Sequence, residues 1–139
     1  MKDLLFLDTP CFIYLVENHP QYALPLRSLF SDLGKGKTKA VTSIVTVSEV
    51  LVKPLELKRN DLIEMYHDLF THVESLQIIS PSYNTAHSAA SIRASYHFTL
   101  TDCFQLAIAK EFNCTEFLTN DAGLKKYKEV SVKLLSETE

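Results

Sequence analysis

Short apolar segments alternate with longer helical patterns along almost the whole chain. Each apolar segment is continuous or rich in β-branched residues, which is typical of strands buried on both faces. Strands that alternate with helices favour a parallel sheet covered by helices on both sides. We therefore expect an α/β fold, a three-layer sandwich around a central, mainly parallel five-stranded sheet. The predicted strands are residues 3–8, 38–45, 76–80, 115–119 and 130–135.

The segments between the strands show the apolar spacing and the start signals of helices. The predicted helices are residues 11–17, 21–33, a segment after 45, 61–74, 83–95 and a segment ending at 113, with a helical turn at 123–127. The predicted N-terminal caps are Thr9, either Thr46 or Ser48, Asn60 and Thr101. No repeat or linker interrupts this pattern, so we expect residues 1–139 to form a single domain.

The composition, 46% hydrophobic and 22% charged, is that of a globular protein. No apolar run approaches the roughly 20 residues that a membrane span needs, and the first residues do not resemble a signal peptide, so we expect a cytoplasmic protein. The three cysteines and five histidines show no zinc-type spacing. A net charge of −3 argues against a general polyanion binder, although basic residues cluster at 35–39, 53–59 and 125–128.

Four acidic residues lie where a predicted strand ends or a predicted helix begins. Asp8 follows the first strand directly, and Asp121 follows the fourth. Glu49 lies early in the third helix, and Asp102 begins the sixth. Because strand C-termini and helix N-termini meet near one edge of a parallel sheet, these side chains can share one cleft. Crowded carboxylates repel unless they are protonated or bridged by cations, and all-oxygen ligands favour Mg²⁺ or Mn²⁺, so the pattern predicts a metal-dependent enzyme acting on phosphate.

Each acid also has a purely structural explanation. Asp8 and Asp121 can cap the helical segments that follow them. An acid in a first helical turn, such as Asp102 or Glu49, is favoured by the helix dipole. Any one of these residues alone indicates little about function, but four of them at one sheet edge indicate a shared site.

The order of these motifs resembles that of the PIN-domain family. The resemblance covers essentially the whole chain and rests on four short segments, LDT at 7–9, SEVL at 48–51, TDCFQLA at 101–107 and LTND at 118–121. PIN domains are typically Mg²⁺- or Mn²⁺-dependent ribonucleases, and the small ones are often toxins of the VapC type. The resemblance therefore implies a PIN-like fold and a metal-dependent endoribonuclease that hydrolyses RNA phosphodiester bonds.

The same resemblance implies which residues form the site. The acidic centre, both catalytic and metal-binding, would be Asp8, Glu49, Asp102 and Asp121. Supporting roles would fall to Thr119, Asn120 and Arg93. In one departure from the family pattern, Pro10 and Cys11 replace small polar residues after the first acid.

The resemblance also implies partners and leaves alternatives open. RNA would be the substrate, and a toxin of this family would form a homodimer and be blocked by an antitoxin that occupies the acidic groove. One alternative is a catalytically inactive PIN-like module that binds RNA or protein. Another is a structure-specific DNA nuclease of related fold, which the lack of insertions disfavours. A divalent-metal titration would separate an active site from an inactive one.

Overall fold

A computed structural model describes residues 3–138. The strands are β1 (Leu4–Leu7), β2 (Lys39–Ser43), β3 (Leu76–Ile79), β4 (Glu116–Thr119) and β5 (Val132–Leu134). The α-helices are α1 (Thr9–Val16), α2 (Ala23–Gly34), α3 (Ile44–Glu56), α4 (Asn60–His72), α5 (Tyr83–Tyr96) and α6 (Leu100–Glu111). Short 3₁₀ turns follow at Ala122–Lys126 and Leu135–Glu137. None of the helices within residues 3–138 combines the length and apolar character that crossing a membrane requires.

The five strands form one sheet in the order β3-β2-β1-β4-β5, and every neighbouring pair is parallel. The predicted α/β fold is confirmed, and the sheet is wholly rather than mainly parallel. Strand β1 lies at the centre, and its pairing with β4 continues past the strand end, where the Asp8 amide donates to the Leu118 carbonyl over 3.0 Å. The carboxyl ends of β1, β2 and β4 therefore lie side by side.

Two apolar cores cover the two faces of the sheet. Successive strand residues point to opposite faces, so Leu5 and Leu7 join the core beneath α1 to α4, and Phe6 joins the core beneath α5 and α6. Phe6 stacks on Phe117 of β4 with ring centroids 4.9 Å apart. Burial of each large apolar side chain stabilises the fold by about 1.5–3 kcal/mol. Both faces of β1 are apolar, and the first polar side chain after it is that of Asp8.

The structure corrects the second strand and the helix after it. The strand was predicted to run to residue 45, but it ends at Ser43, and α3 begins at Ile44. The hydroxyl of Ser43 accepts a hydrogen bond from the Val45 amide over 3.1 Å, so Ser43 is the cap, and the predictions of Thr46 or Ser48 are wrong. The β-branched residues after Ser43 are compatible with strand or helix, and the capping serine decides between them.

Three other predicted caps are displaced by one or two residues. Asp8, not Thr9, caps α1. Thr99, not Thr101, caps α6, because the Thr99 hydroxyl accepts from the Asp102 amide over 3.3 Å. Asn60 is the first residue of α4 and not its cap.

Candidate functional site

The four predicted acids lie at the carboxyl edge of the sheet, but they differ in how the fold holds them. Asp8 follows β1 and is buried, with 6% of its surface exposed. Asp102 lies in the first turn of α6 and is partly buried. Glu49 in α3 and Asp121 after β4 are exposed. The charge of Asp102 acts on Asp8, and the charge of Asp121 acts on Asp102, so these three carboxylates share one electrostatic site.

Three donors hold the buried Asp8 carboxylate. Its Oδ1 accepts from the Thr9 amide over 2.9 Å and from Gln105 Nε2 over 3.4 Å, and its Oδ2 accepts from the Thr119 hydroxyl over 2.7 Å. The pKa of Asp8 is raised to about 6, mainly because the carboxylate is buried and also because the charge of Asp102 acts on it. The three hydrogen bonds lower the pKa and offset part of this rise. The fold thus fixes this side chain while making its negative charge costly.

Gln105 connects Asp8 to the neighbouring strand and helix. This side chain is 1% exposed and donates to Thr46 Oγ1 over 2.6 Å, and it accepts from the Ser43 hydroxyl. The Thr42 hydroxyl, which donates to the Leu7 carbonyl over 2.7 Å, lies 2.9 Å from Thr46 Oγ1. Within residues 3–138, every fully buried side-chain nitrogen and oxygen has a hydrogen-bond partner. Such a satisfied network holds its members in one arrangement.

Sequence reasoning missed this network, although Gln105 lies in one of the motif segments. Cys103, Leu106, Ala107 and Ile108 of the same helix are buried and apolar. A glutamine three residues after Asp102, within that apolar stretch, must find partners inside the protein. That pattern could have indicated Gln105 as a residue of the site.

Asp102 is held more loosely than Asp8. Its partial burial raises its pKa, and the charge of Asp121 raises the pKa further. The hydrogen bond with Thr99 lowers it.

The two exposed acids, Glu49 and Asp121, form the rim of the site, and each has a local partner. Glu49 Oε1 accepts from the Thr9 hydroxyl over 2.6 Å, and Asp121 Oδ1 accepts from the Gly123 amide over 2.9 Å. The Asp121 amide also donates to Thr119 Oγ1 over 3.3 Å, so Thr119 contacts both Asp8 and Asp121.

Asn120 and Arg93 form their hydrogen bonds with groups other than the four acids. Asn120 Nδ2 donates to the Tyr14 hydroxyl over 3.1 Å. The Arg93 guanidinium donates to the His97 carbonyl over 3.0 Å and to the Phe98 carbonyl, so it holds the loop that leads into α6. Arg93 therefore holds the loop that leads to Thr99, the cap of the helix that carries Asp102.

The donor set fits a hydrated hard cation better than a cage of protein ligands. Within residues 3–138, no three His, Cys, Asp or Glu side chains are grouped so that they could hold a metal ion by themselves. Mg²⁺ keeps several waters and often uses only one or two carboxylates. Asp8 and Asp102 supply two carboxylates with raised pKa values, and a nearby cation would lower both values by favouring the charged form.

Comparison with known proteins bears directly on this arrangement. Residues 5–130 match the PIN domain family. The fold is similar to that of DNA-bound VapBC from Salmonella typhimurium, at 15% identity and a TM-score of 0.74, over 97% of this chain and 99% of that one. The fold is also similar to that of VapBC2 from Rickettsia felis bound to a promoter DNA fragment. The sequence identity is 14% and the TM-score is 0.71, over 94% of this chain and 98% of that one.

Mycobacterium tuberculosis VapC20, described as a sarcin–ricin loop cleaving toxin, gives 9% identity and a TM-score of 0.67 over 81% and 86% of the two chains. At such identities the solved structures establish a shared fold. No curated protein matches this chain in sequence. The family match spans nine-tenths of the chain. The fold and the four acids at one sheet edge agree with that match. The chain therefore belongs to the PIN-domain family.

Proposed function

We propose that this protein is a divalent-metal-dependent endoribonuclease. One observation carries the proposal, namely the buried Asp8 carboxylate, fixed by three donors while the charge of Asp102 acts against it. A buried anion beside a second anion is costly unless a cation offsets both charges. A fold that holds such a group rigidly at the surface edge of a sheet is suited to metal-assisted chemistry on phosphate.

The proposed reaction is in-line hydrolysis of an RNA phosphodiester bond. Asp8 and Asp102 would be the core ligands, and Glu49 and Asp121 would contact the ion or its waters from the rim of the site. Bound Mg²⁺ or Mn²⁺ would lower the pKa of a coordinated water and offset charge on the attacking and leaving oxygens. Thr119 and Gln105 keep Asp8 aimed, so the ligand oxygens need no rearrangement when substrate arrives.

The similar structures support RNA as substrate and a protein inhibitor as partner. One is described as a toxin that cleaves the sarcin–ricin loop, and two are VapBC assemblies. We propose the corresponding roles here: a ribonuclease toxin of VapC type, blocked by an antitoxin and assembled as a homodimer. Co-expression with the product of an adjacent short gene should then suppress growth inhibition, and light scattering should report twice the monomer mass.

A non-catalytic PIN-like module is the second candidate. It is favoured by the lack, within residues 3–138, of three grouped metal-ligating side chains. Thermal melting during a titration with MgCl₂ separates the candidates, because a site that binds the cation in the folded state raises the melting temperature. An inactive module should melt at the same temperature throughout.

Cleavage of a fluorogenic single-stranded RNA tests the activity directly. We expect cleavage with Mg²⁺ or Mn²⁺, none in excess EDTA, and no recovery with Ca²⁺, whose larger and irregular coordination would not fix an in-line geometry. Asp61→Asn is the matched control, since Asp61 is exposed and pairs with Arg59 instead of lying at the sheet edge. Full cleavage in EDTA, or equal cleavage by wild type and Asp8→Asn, would refute the proposal.

A further inference from the structure

Three ring side chains cluster where α1 turns into α2. Tyr14, His19 and Tyr22 are each partly buried. The ring centroids are 4.4 Å apart for Tyr14 and His19, 4.9 Å for His19 and Tyr22, and 5.6 Å for the two tyrosines. We call these three residues the aromatic corner.

The backbone fixes the aromatic corner in place. His19 Nδ1 accepts from the amides of Gln21 and Tyr22 over 3.1 and 3.2 Å. The imidazole therefore acts as an acceptor at Nδ1, which closes the turn between the helices. Both tyrosines also pack against the apolar core beneath α1 to α4. The rings are thus pre-ordered, and binding a flat partner would require little further ordering.

One hydrogen bond joins the aromatic corner to the acidic site. Side chains of an α-helix lean toward its N-terminus, which for α1 is Asp8. The Tyr14 hydroxyl accordingly reaches Asn120 Nδ2, at 3.1 Å, and Asn120 directly precedes Asp121. A substrate bound at Asp8 and Asp121 would therefore pass next to the aromatic corner.

The charge at the aromatic corner also suits a nucleic acid. Arg27 of α2 is exposed, and its guanidinium donates to the side-chain oxygen of Asn18, which lies in the turn between α1 and α2. No ion pair within residues 3–138 involves Arg27, so its positive charge is not offset by a contacting carboxylate there. The acid in this turn, Glu17, instead accepts from the Tyr66 hydroxyl over 3.2 Å. Stacked rings beside an arginine are the features that bind unstacked bases and the backbone of single-stranded RNA.

We propose that the aromatic corner is a base-binding subsite, where an unstacked base next to the cleaved bond stacks on the exposed ring surface and Arg27 contacts a phosphate. This inference rests on the proposed ribonuclease function and adds to it the place where a base next to the cleaved bond is held. A protein partner at the same rings is the competing occupant, and it would leave RNA cleavage unaffected by changes there.

Replacement of one ring tests the subsite kinetically. Tyr22→Leu keeps an apolar side chain but removes the ring, and we expect it to raise KM roughly 5- to 10-fold, as for loss of one stacked base, with a smaller effect on kcat. Tyr22→Phe keeps the ring and should restore KM to within about twofold of wild type. The matched control is Phe112→Leu, since Phe112 is a partly exposed ring at the far end of α6 from Asp102. Thermal melting of each variant reports whether it is folded.

Photocross-linking supplies a readout that does not depend on cleavage. A short single-stranded RNA containing 5-iodouridine is irradiated with Asp8→Asn protein, and tandem mass spectrometry locates the adduct. An adduct on Tyr14, His19 or Tyr22 supports the subsite. Adducts confined to other aromatic residues, together with an unchanged KM for Tyr22→Leu in an active enzyme, would overturn it. If wild type cleaves no RNA with any metal but the adduct forms at the aromatic corner, the proposed activity fails while RNA binding at the corner stands.

Discussion

The acidic site has a buried half and an exposed half, which the fold builds in different ways. In the buried half, Asp8 is held by donors from Thr9, Thr119 and Gln105. In the exposed half, Glu49 and Asp121 each have one side-chain hydrogen bond to a neighbouring loop or helix. The buried half has fixed geometry and a costly charge, whereas the exposed half is solvated and able to adjust. Under the proposed function, Asp8 would therefore fix the position of the metal ion, and Glu49 and Asp121 would mainly tune the affinity for it.

The largest expected effect is loss of activity in Asp8→Asn or Asp102→Asn. Replacing residues that only orient metal ligands commonly costs roughly 10- to 100-fold in activity, so loss of a ligand charge should exceed about 100-fold. Asparagine keeps the shape of aspartate and can still cap α1, so circular dichroism and melting should show an intact fold. A cleavage rate near that of wild type would show that the replaced residue is not a core metal ligand.

The second prediction concerns stability without metal. The pKa of Asp8 is raised from 3.8 to about 6 in the folded state, so between those values the folded protein binds more protons than the unfolded one. The contribution of Asp8 to stability is therefore full below about pH 4 and is lost as pH rises through 6, by about 3 kcal/mol in total. Urea unfolding in EDTA from pH 4 to 7.5 should show this decline in wild type.

Asp8→Asn should remove most of that decline, because a neutral side chain makes no proton-linked contribution. Some decline should persist, since burial also raises the pKa of Asp102. Parallel curves for wild type and variant would mean that burial of Asp8 does not make its charge costly.

The third prediction tests the support of the buried half through Gln105→Leu. This change leaves the Ser43 and Thr46 hydroxyls without their buried partner, which should lower the free energy of unfolding by about 1–3 kcal/mol. It also removes one of the three donors that hold Asp8, so cleavage should fall roughly 10- to 100-fold. Gln77→Leu, at an exposed position on β3, is the control and should change little. If both variants behave alike, the network does not aim Asp8.

The smallest effect is expected at the rim. Glu49→Gln and Asp121→Asn should each reduce cleavage by no more than about tenfold at low Mg²⁺, the lower end for residues that assist metal binding. Excess Mg²⁺ should restore part of the rate. Glu56→Gln, exposed at the end of the helix that carries Glu49, is the control. Complete loss in Glu49→Gln that no Mg²⁺ concentration restores, beside an active Asp8→Asn, would reverse the comparison.

The sequence was sufficient for the fold class because periodicity reports burial directly. Leu4–Leu7 is a short, continuous apolar run, whose length favours a strand covered on both faces, and the structure has it at the centre of the sheet. The caps were harder, since Ser43, Thr46 and Ser48 are all good caps in isolation. The choice of Ser43 follows from β2, whose pairing with β3 ends at that residue.

The support of the site could not be read from residue types alone. Gln105 contacts partners 62 and 59 residues away, Ser43 and Thr46. Such contacts depend on how α6 docks against β2, and no local spacing encodes that docking. In contrast, the edge where the acids lie follows from strand direction alone, so their shared location could be predicted before their partners.

The parallel pairing of β1 with β4 also sets when the site can exist during synthesis. Asp8 depends on Thr119, 111 residues later in the chain, and its own amide pairs with Leu118. In a growing chain, Asp8 therefore lacks this support until Leu118 and Thr119 have left the ribosome. We expect a chain ended at Asn113 to cleave no RNA, because it has the first three acids but neither Thr119 nor Asp121. Release of nascent protein before β4 is complete would then yield inert fragments.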